Sequence, residues 1–311
     1  MCRYSFLKTS SKYCFLLLAA LSLNNCMSEQ NNNIRIHGHR GCRGYLPENS
    51  IPGFVYAWKK GTPVLELDVV LSADSELIVS HDPFMHFEIC AFPEGTAITE
   101  EQEGSLNIFK MRAAEVGQFQ CGTIVHPRFP EQIQLRTYKP MLSELVRIVD
   151  SLSVLTGMNL PAWNIEIKSR PEWDNVYHPE PLEYARIFAR KLSEIKIKSD
   201  VYIQSFDPRV LNALHQFGPR LKLVYLSEDT DKDARTKLSE LNFKPYGYSP
   251  NYALVDQSMV SYCTDHGLKL FVWTVNDEAE FERLRSIGVR EIITDYPVKE
   301  KPDQNDPALN I

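Results

Sequence analysis

Basic residues, cysteines and long apolar runs are all scarce in this chain, and each scarcity narrows the reading. Its 311 residues carry 34 Lys and Arg against 40 Asp and Glu, a net charge of −6. No basic footprint is present, so a nucleic-acid partner is not expected. Beyond Cys26 only Cys42, Cys90, Cys121 and Cys263 occur, and four scattered cysteines do not make a disulfide framework in a large domain. Cys42 and Cys263 read as small buried residues. Cys90 and Cys121 share one irregular segment and are the one pair considered for a bridge. There is no Gly-Xaa-Ser-Xaa-Gly elbow and no P-loop, which argues against a serine hydrolase and against a nucleotide-dependent enzyme. No shift in composition marks a second domain.

At the N-terminus, Arg3, Lys8 and Lys12 precede an apolar run of ten residues, Cys14 to Leu23. That run is too short to span a bilayer, and with its basic leader it reads as a signal peptide over residues 1–26, followed by a polar linker, 27–33. Leu23-Asn24-Asn25-Cys26 resembles a bacterial lipoprotein box, with Asn25 where Gly, Ala or Ser is preferred; ordinary cleavage after Ser22 competes with it. The expectation is an exported, periplasmic protein or one attached to the membrane through a lipidated Cys26. Losing residues 1–26 removes three basic and no acidic side chains, which moves the net charge to −9.

What the chain does have is concentrated between His37 and Asp82. His39-Arg40-Gly41, Glu66-Leu67-Asp68 and His81-Asp82 each sit where a short apolar run stops, which is where α/β enzymes keep their chemistry. In Val64–Val70, Leu65, Leu67 and Val69 share one face and Glu66 and Asp68 the other. Trp163–Lys168 repeats the pattern, with Asn164, Glu166 and Lys168 opposite Trp163, Ile165 and Ile167. Carboxylates on a strand that is otherwise core must meet a cation, a proton or a ligand. The simpler reading is an edge strand whose charges face water.

Eight strands are expected near residues 34, 64, 163, 201, 221, 246, 269 and 291, separated by helices. The Leu77–Asp82 run lies too close to the second strand for a crossover helix and reads as a hairpin extension. Asn49 or Ser50 is expected to cap the first helix, and Gly61 to end it. From Pro83 to Pro140 periodicity fails, as in a long functional loop or small subdomain. The order argues for a (β/α)8 TIM barrel over residues 34–311, with an insertion at 83–140 after the second strand. An open doubly wound sheet is the alternative.

A barrel would bring the strand ends to one mouth. Glu66, Asp68 and Glu166 would then suit a hard divalent cation, Mg²⁺ or Ca²⁺, with zinc less suited. Arg40 and Lys168 would hold a phosphate, while His39 and His81 would divide acid and base roles.

These residues carry a resemblance. His39-Arg40-Gly41, Pro47-Glu48-Asn49-Ser50, Glu66-Leu67-Asp68-Val69, Ser80-His81-Asp82, Glu166-Ile167-Lys168, Ser205-Phe206-Asp207-Pro208, Val272-Trp273-Thr274-Val275-Asn276 and Ile293-Thr294-Asp295 follow the ordered motifs of the glycerophosphodiester phosphodiesterase family, from Ile34 to Pro297. The resemblance implies cation-dependent hydrolysis of a small glycerophosphodiester to glycerol 3-phosphate and an alcohol, with the glycerol 2-hydroxyl attacking phosphorus. It makes His39 and His81 the acid/base pair, Glu66, Asp68 and Glu166 the metal ligands, and Arg40 and Lys168 phosphate ligands. Trp273 and Phe206 would line the glycerol side, or else pack as core. A lysophospholipase D or sphingomyelinase D-like enzyme is the rival enzymatic reading, and an exported phosphodiester-binding protein the non-enzymatic one.

Overall fold

The computed structural model describes Met1, residues 34–231 and 233–303, Asp306 and Leu309. The signal peptide, linker and Cys26 expectations therefore fall outside the described residues. Among these, no helix is long and apolar enough to cross a membrane.

In chain order the elements are β1 (Arg35–Gly38), α1 (Ile51–Lys59), β2 (Val64–Leu71), β3 (Leu77–Val79), β4 (Cys90–Ala91), α2 (Glu100–Glu103), α3 (Ala113–Val116), β5 (Gln120–Cys121), α4 (Leu142–Thr156) and β6 (Ala162–Ile167). They continue with α5 (Pro181–Ile195), β7 (Val201–Ser205), α6 (Pro208–Phe217), β8 (Lys222–Ser227), α7 (Ala234–Leu238), β9 (Gly247–Pro250), α8 (Gln257–Asp265), β10 (Lys269–Val272), α9 (Glu278–Ser286) and β11 (Glu291–Thr294).

β1, β2 and β6 to β11 pair in parallel in that order, and β1 closes the ring on β11. The result is the eight-stranded barrel that the alternation of strands and helices predicts. β3 runs antiparallel to β2, with Val69 opposite Val79 and Leu71 opposite Leu77. It is the hairpin extension that its short connection requires.

Residue alternation sorts the barrel into two cores. Leu65, Leu67, Val69, Trp163, Ile165 and Ile167 pack in one cluster with helix residues such as Phe54, Leu145 and Tyr184. The opposite faces supply a separate cluster of Val64, Ala162, Tyr202, Val224 and Phe271. Glu66, Asn164 and Gln204 follow these on the same strand faces, and Asp68 and Glu166 come after them, opposite each other in register. Polar side chains thus replace apolar ones toward the strands' C-terminal ends.

The helix punctuation is mostly as expected. Ser50 caps α1, its Oγ accepting from the Gly53 amide at 3.2 Å; Asp207 caps α6 and Asp256 caps α8. Gly157, at φ 71°, ends α4 in the left-handed region that glycine enters without steric cost. β10 stops at Val272, and beyond it the Val275 amide donates to Ile293 O at 2.9 Å.

The insertion is more ordered than its sequence suggests. Met85, Cys90, Ile98, Ile108, Val116 and Cys121 bury a small core of their own against Val70 and Ile78 of the β2–β3 hairpin. Cys90 and Cys121 face each other across β4 and β5 and are joined by a disulfide. Asn107 Nδ2 donates to Val176 O at 2.8 Å, fastening the insertion to the loop after β6.

Candidate active site

The first functional turn depends on close backbone packing. A Cβ at Gly38 would sit 2.2 Å from Gly41 O, so only glycine fits as the chain leaves β1. Arg40 adopts φ 49°, a strained left-handed conformation for a long side chain. Its amide thereby donates to Glu66 Oε2 at 3.0 Å.

Glu66, Asp68 and Glu166 each bring a carboxylate oxygen into one group within 4.8 Å of one another, all three buried. Burial and the Asp68 charge push Glu66 well above the usual carboxylate range. Burial likewise raises Glu166 to about 7 although Lys168 opposes it. Burial acts against Asp68 too, but Arg40 and Lys168 outweigh it and keep this carboxylate ionised. Three buried oxygen donors whose mutual repulsion favours protons are a donor set that a hard divalent cation satisfies. The residues fit such an ion.

Gln204 Nε2 donates to Glu66 Oε1 at 2.9 Å. Behind it a polar file continues through the barrel: Asn164 Nδ2 donates to Gln204 Oε1 at 3.2 Å and lies 3.3 Å from His37 Nδ1, while His37 Nε2 meets Glu291 Oε2 at 2.8 Å.

Both histidines are held by carboxylates. His39 Nδ1 lies 2.6 Å from Asp295 Oδ1, and Asn276 Nδ2 donates to Asp295 Oδ2, also at 2.6 Å. His81 Nδ1 lies 2.9 Å from Asp82 Oδ1. An imidazole bound through Nδ1–H presents an unprotonated Nε2. Burial lowers His39 despite Asp295; burial, Arg40 and Lys168 bring His81 to about 4. Both are neutral near pH 7, as a general base must be before it acts.

The cations are shared rather than free. Arg40 Nη1 pairs with Glu48 Oε1 at 2.9 Å and Arg40 Nε with Asp68 Oδ2 at 3.2 Å. Arg43 Nε meets Glu48 Oε2 at 2.5 Å, and Lys168 Nζ meets Glu166 Oε1 at 2.7 Å. Lys139, from the end of the insertion, donates to Ser80 Oγ at 2.8 Å.

A cavity of about 200 Å³ is lined by His39, Arg40, Glu66, His81, Glu166, Lys168, Phe206 and Trp273. Asp68 lies behind it, only 1% exposed, against Arg40 and Lys168. All nine residues singled out from the sequence are therefore together, with Phe206 and Trp273 packed edge to face at 5.5 Å.

Asn49 is not a helix cap: Ser50 has that place, and Asn49 Nδ2 donates to Asp68 Oδ2 at 2.9 Å. Asp295, Asn276, Asp82, Glu48 and Gln204 also belong to the site without having been assigned a role from sequence. Gln204 was findable, since period-two alternation along β7 sets it beside Asn164 and Glu166.

Residues 39–299 match the glycerophosphoryl diester phosphodiesterase family. A glycerophosphodiester phosphodiesterase of Bacillus subtilis (strain 168) is 27% identical over 282 residues, 90% of this chain and 89% of that protein. A crystal structure from Silicibacter pomeroyi DSS-3, named for the same family, superposes with a TM-score of 0.76 at 26% identity, covering 86% of this chain and 92% of that one. An Oleispira antarctica phosphodiesterase, in complex with the product sn-glycerol-3-phosphate, shares the fold at a TM-score of 0.66 and 20% identity, covering 85% and 93%. With the barrel, the two histidines and the carboxylate cluster in place, the chain belongs to the glycerophosphoryl diester phosphodiesterase family of hydrolases.

Proposed function

We propose that the site hydrolyses a glycerophosphodiester to glycerol 3-phosphate and the free alcohol, with Mg²⁺ or Ca²⁺ held by Glu66, Asp68 and Glu166. The observation that carries this reading is the meeting of two carboxylate-held histidines and the three-carboxylate group at one cavity. The product complex of the Oleispira antarctica relative supports it. A bound cation would neutralise phosphate charge and make a hydroxyl that it contacts more acidic.

The chain's own residues supply the proton transfers. The imidazole of one histidine takes the proton of the glycerol 2-hydroxyl through Nε2 as that oxygen bonds to phosphorus. The bond from phosphorus to the departing alcohol breaks, and that oxygen takes a proton from the other histidine, which is neutral in the free site and acquires that proton as the anionic phosphate binds beside it. Water then opens the cyclic phosphate with the roles reversed. Asp295 and Asp82 keep the two rings in the required tautomer and stabilise each imidazolium as it forms. Arg40 and Lys168 turn toward the phosphate oxygens. Phe206 and Trp273 give the glycerol an aromatic wall.

The test is release of glycerol 3-phosphate from glycerophosphodiesters with Mg²⁺, with Ca²⁺ or with chelator. Turnover that survives chelation unchanged removes the cation from the mechanism. We also propose export, on the basic leader, the apolar run and Cys26; an intact mass with an unmodified residue other than Cys26 at the N-terminus would reject lipid anchorage.

A further inference from the structure

A second cavity, of about 280 Å³, adjoins the catalytic one and shares Arg40, Arg43, His81 and Arg128 with it. Its remaining wall comes mainly from the insertion: His86, Glu88, Ile89 and His126. Phe206 and Trp273 line the catalytic cavity and not this one. A phosphate at the shared boundary would place one substituent between the aromatic rings and the other against the insertion. This wall is polar, with Ile89 its one aliphatic side chain, so it suits a small hydrophilic group and not an acyl chain.

Most charges in this second cavity are already matched. Glu48 takes Arg40 at 2.9 Å and Arg43 at 2.5 Å, with His126 Nε2 at 3.6 Å; Asp82 takes His81. Glu88 and Arg128 are different, since neither makes an ion pair with any described residue. Their backbones are braced in the same way. The Glu88 amide donates to His86 Nδ1 at 3.2 Å and the Arg128 amide to His126 Nδ1 at 3.1 Å. The Arg128 guanidinium rests 5.7 Å from the Phe129 ring centroid. The cavity thus offers one half-buried carboxylate and one exposed guanidinium, on backbones braced by His86 and His126, each without a counter-ion among the described residues.

We infer that this cavity receives the departing alcohol, and that the alcohol it fits is a small zwitterion carrying both an ammonium and a carboxylate: serine, released from glycerophosphoserine. The inference rests on the phosphodiesterase reading above and deepens it. Glu88 takes the ammonium and Arg128 the carboxylate, the latter in the paired geometry that a guanidinium favours. Ethanolamine satisfies Glu88 and leaves Arg128 unmatched. Choline, with no N–H, gives Glu88 no hydrogen bond. In the reaction water is consumed, the bond from phosphorus to the serine oxygen breaks, and serine leaves with its hydroxyl proton restored.

The experiment compares kcat/KM for glycerophosphoserine, glycerophosphoethanolamine, glycerophosphocholine and glycerophosphoglycerol. The serine diester should lead by about tenfold, the scale of one charge-assisted hydrogen bond. Arg128→Gln should cut the serine-to-ethanolamine ratio by about tenfold, with Arg128→Lys recovering part of it. Glu88→Gln should lower both amines relative to the glycerol diester. Ratios within one preparation are immune to a variant that folds poorly. A preference for choline or glycerol, or variants that change all four diesters by the same factor, would overturn the serine assignment while leaving the phosphodiesterase intact. Failure to cleave any of the four would instead strike at the phosphodiesterase reading, and the inference would fall with it.

Discussion

Asn49 Nδ2 donates to Asp68 Oδ2 at 2.9 Å, from a backbone held at φ 52°. Asparagine tolerates that left-handed conformation better than most residues, so position 49 combines a backbone need with a site need. Asn49→Ala should cost about 1–3 kcal/mol of stability and about 10- to 100-fold in cation affinity, the usual scale for a group that orients a metal ligand. Ser50→Ala removes the real cap, for about 1 kcal/mol, and should leave cation affinity unchanged. Denaturant unfolding beside a Mg²⁺ or Ca²⁺ titration separates the two. Equal cation affinity in both variants would reduce Asn49 to a packing residue.

Asp295 is held at about 2: burial opposes its ionisation, and His39 and Asn276 outweigh burial. A carboxylate depressed from 3.8 contributes stability that is fully present above about pH 4 and is lost as pH falls through about 2. The contribution at neutral pH is about 2 kcal/mol. Asp295→Asn should lose it and flatten the acid limb of a stability profile between pH 4 and 2. The same variant should lower kcat by about 100-fold or more, because His39 loses the partner that sets its tautomer. A normal kcat would show that His39 needs no such support.

Glu166 is raised to about 7, and Glu66 is raised as well. A raised carboxyl holds its proton in the folded state, so for Glu166 stability present at low pH is lost as pH climbs from about 4.5 to about 7. A cation needs the ionised form, so its affinity should rise with pH over that window and level off above it. The increase in Tm given by saturating Mg²⁺ or Ca²⁺ should therefore be larger at pH 7.5 than at pH 5.5. Glu166→Gln should abolish most of the difference; an equal increase at both pH values would sink the idea.

A 2-deoxy analogue of a substrate diester tests the internal nucleophile. A hydroxyl already held beside phosphorus can be worth on the order of 7–11 kcal/mol of barrier, so the analogue should bind and turn over very slowly. Cleavage at the parent's rate would assign the attack to water.

The Cys90–Cys121 bridge closes a loop with a sequence separation of 31 residues. On the chain-entropy account such a loop stabilises by about 4 kcal/mol. Cys90→Ser should lower Tm accordingly and loosen the insertion to proteolysis. A non-reduced peptide map with two free thiols would contradict the bridge.

The strand-borne half of the site was legible because alternation is a local signal. Glu66 and Asp68 are two apart on β2, and their partner Glu166 carries the same pattern on β6, so side-chain direction followed from spacing alone. His81 followed from a hairpin too short to be anything else. Asp295 was visible only as part of a motif, since its contact with His39 spans 256 positions and no periodicity links them. Glu48 likewise stood out only as part of a motif, and it pairs with two arginines, Arg40 and Arg43. The insertion stayed opaque for a different reason. Its strands have two residues each and its α-helices four, too short for any period to register.

The polar file from Glu66 to Glu291 has a direction. Asn164 is the source, its one amide nitrogen pointing protons both ways: toward Gln204 and thence Glu66, and toward His37, whose remaining proton then belongs on Nε2 facing Glu291. Burial keeps His37 neutral against the pull of Glu291, so it carries no second proton to reverse that order. This arrangement of hydrogens serves every contact in the file and leaves Asn164 Oδ1 as its one buried atom without a partner; at its end Glu66 accepts from Gln204 at Oε1 and, separately, from the Arg40 amide at Oε2. The floor of the site is thus connected to the far end of the barrel. Glu291 lines neither cavity at the mouth, yet it holds the other end of the file that reaches the carboxylate of Glu66.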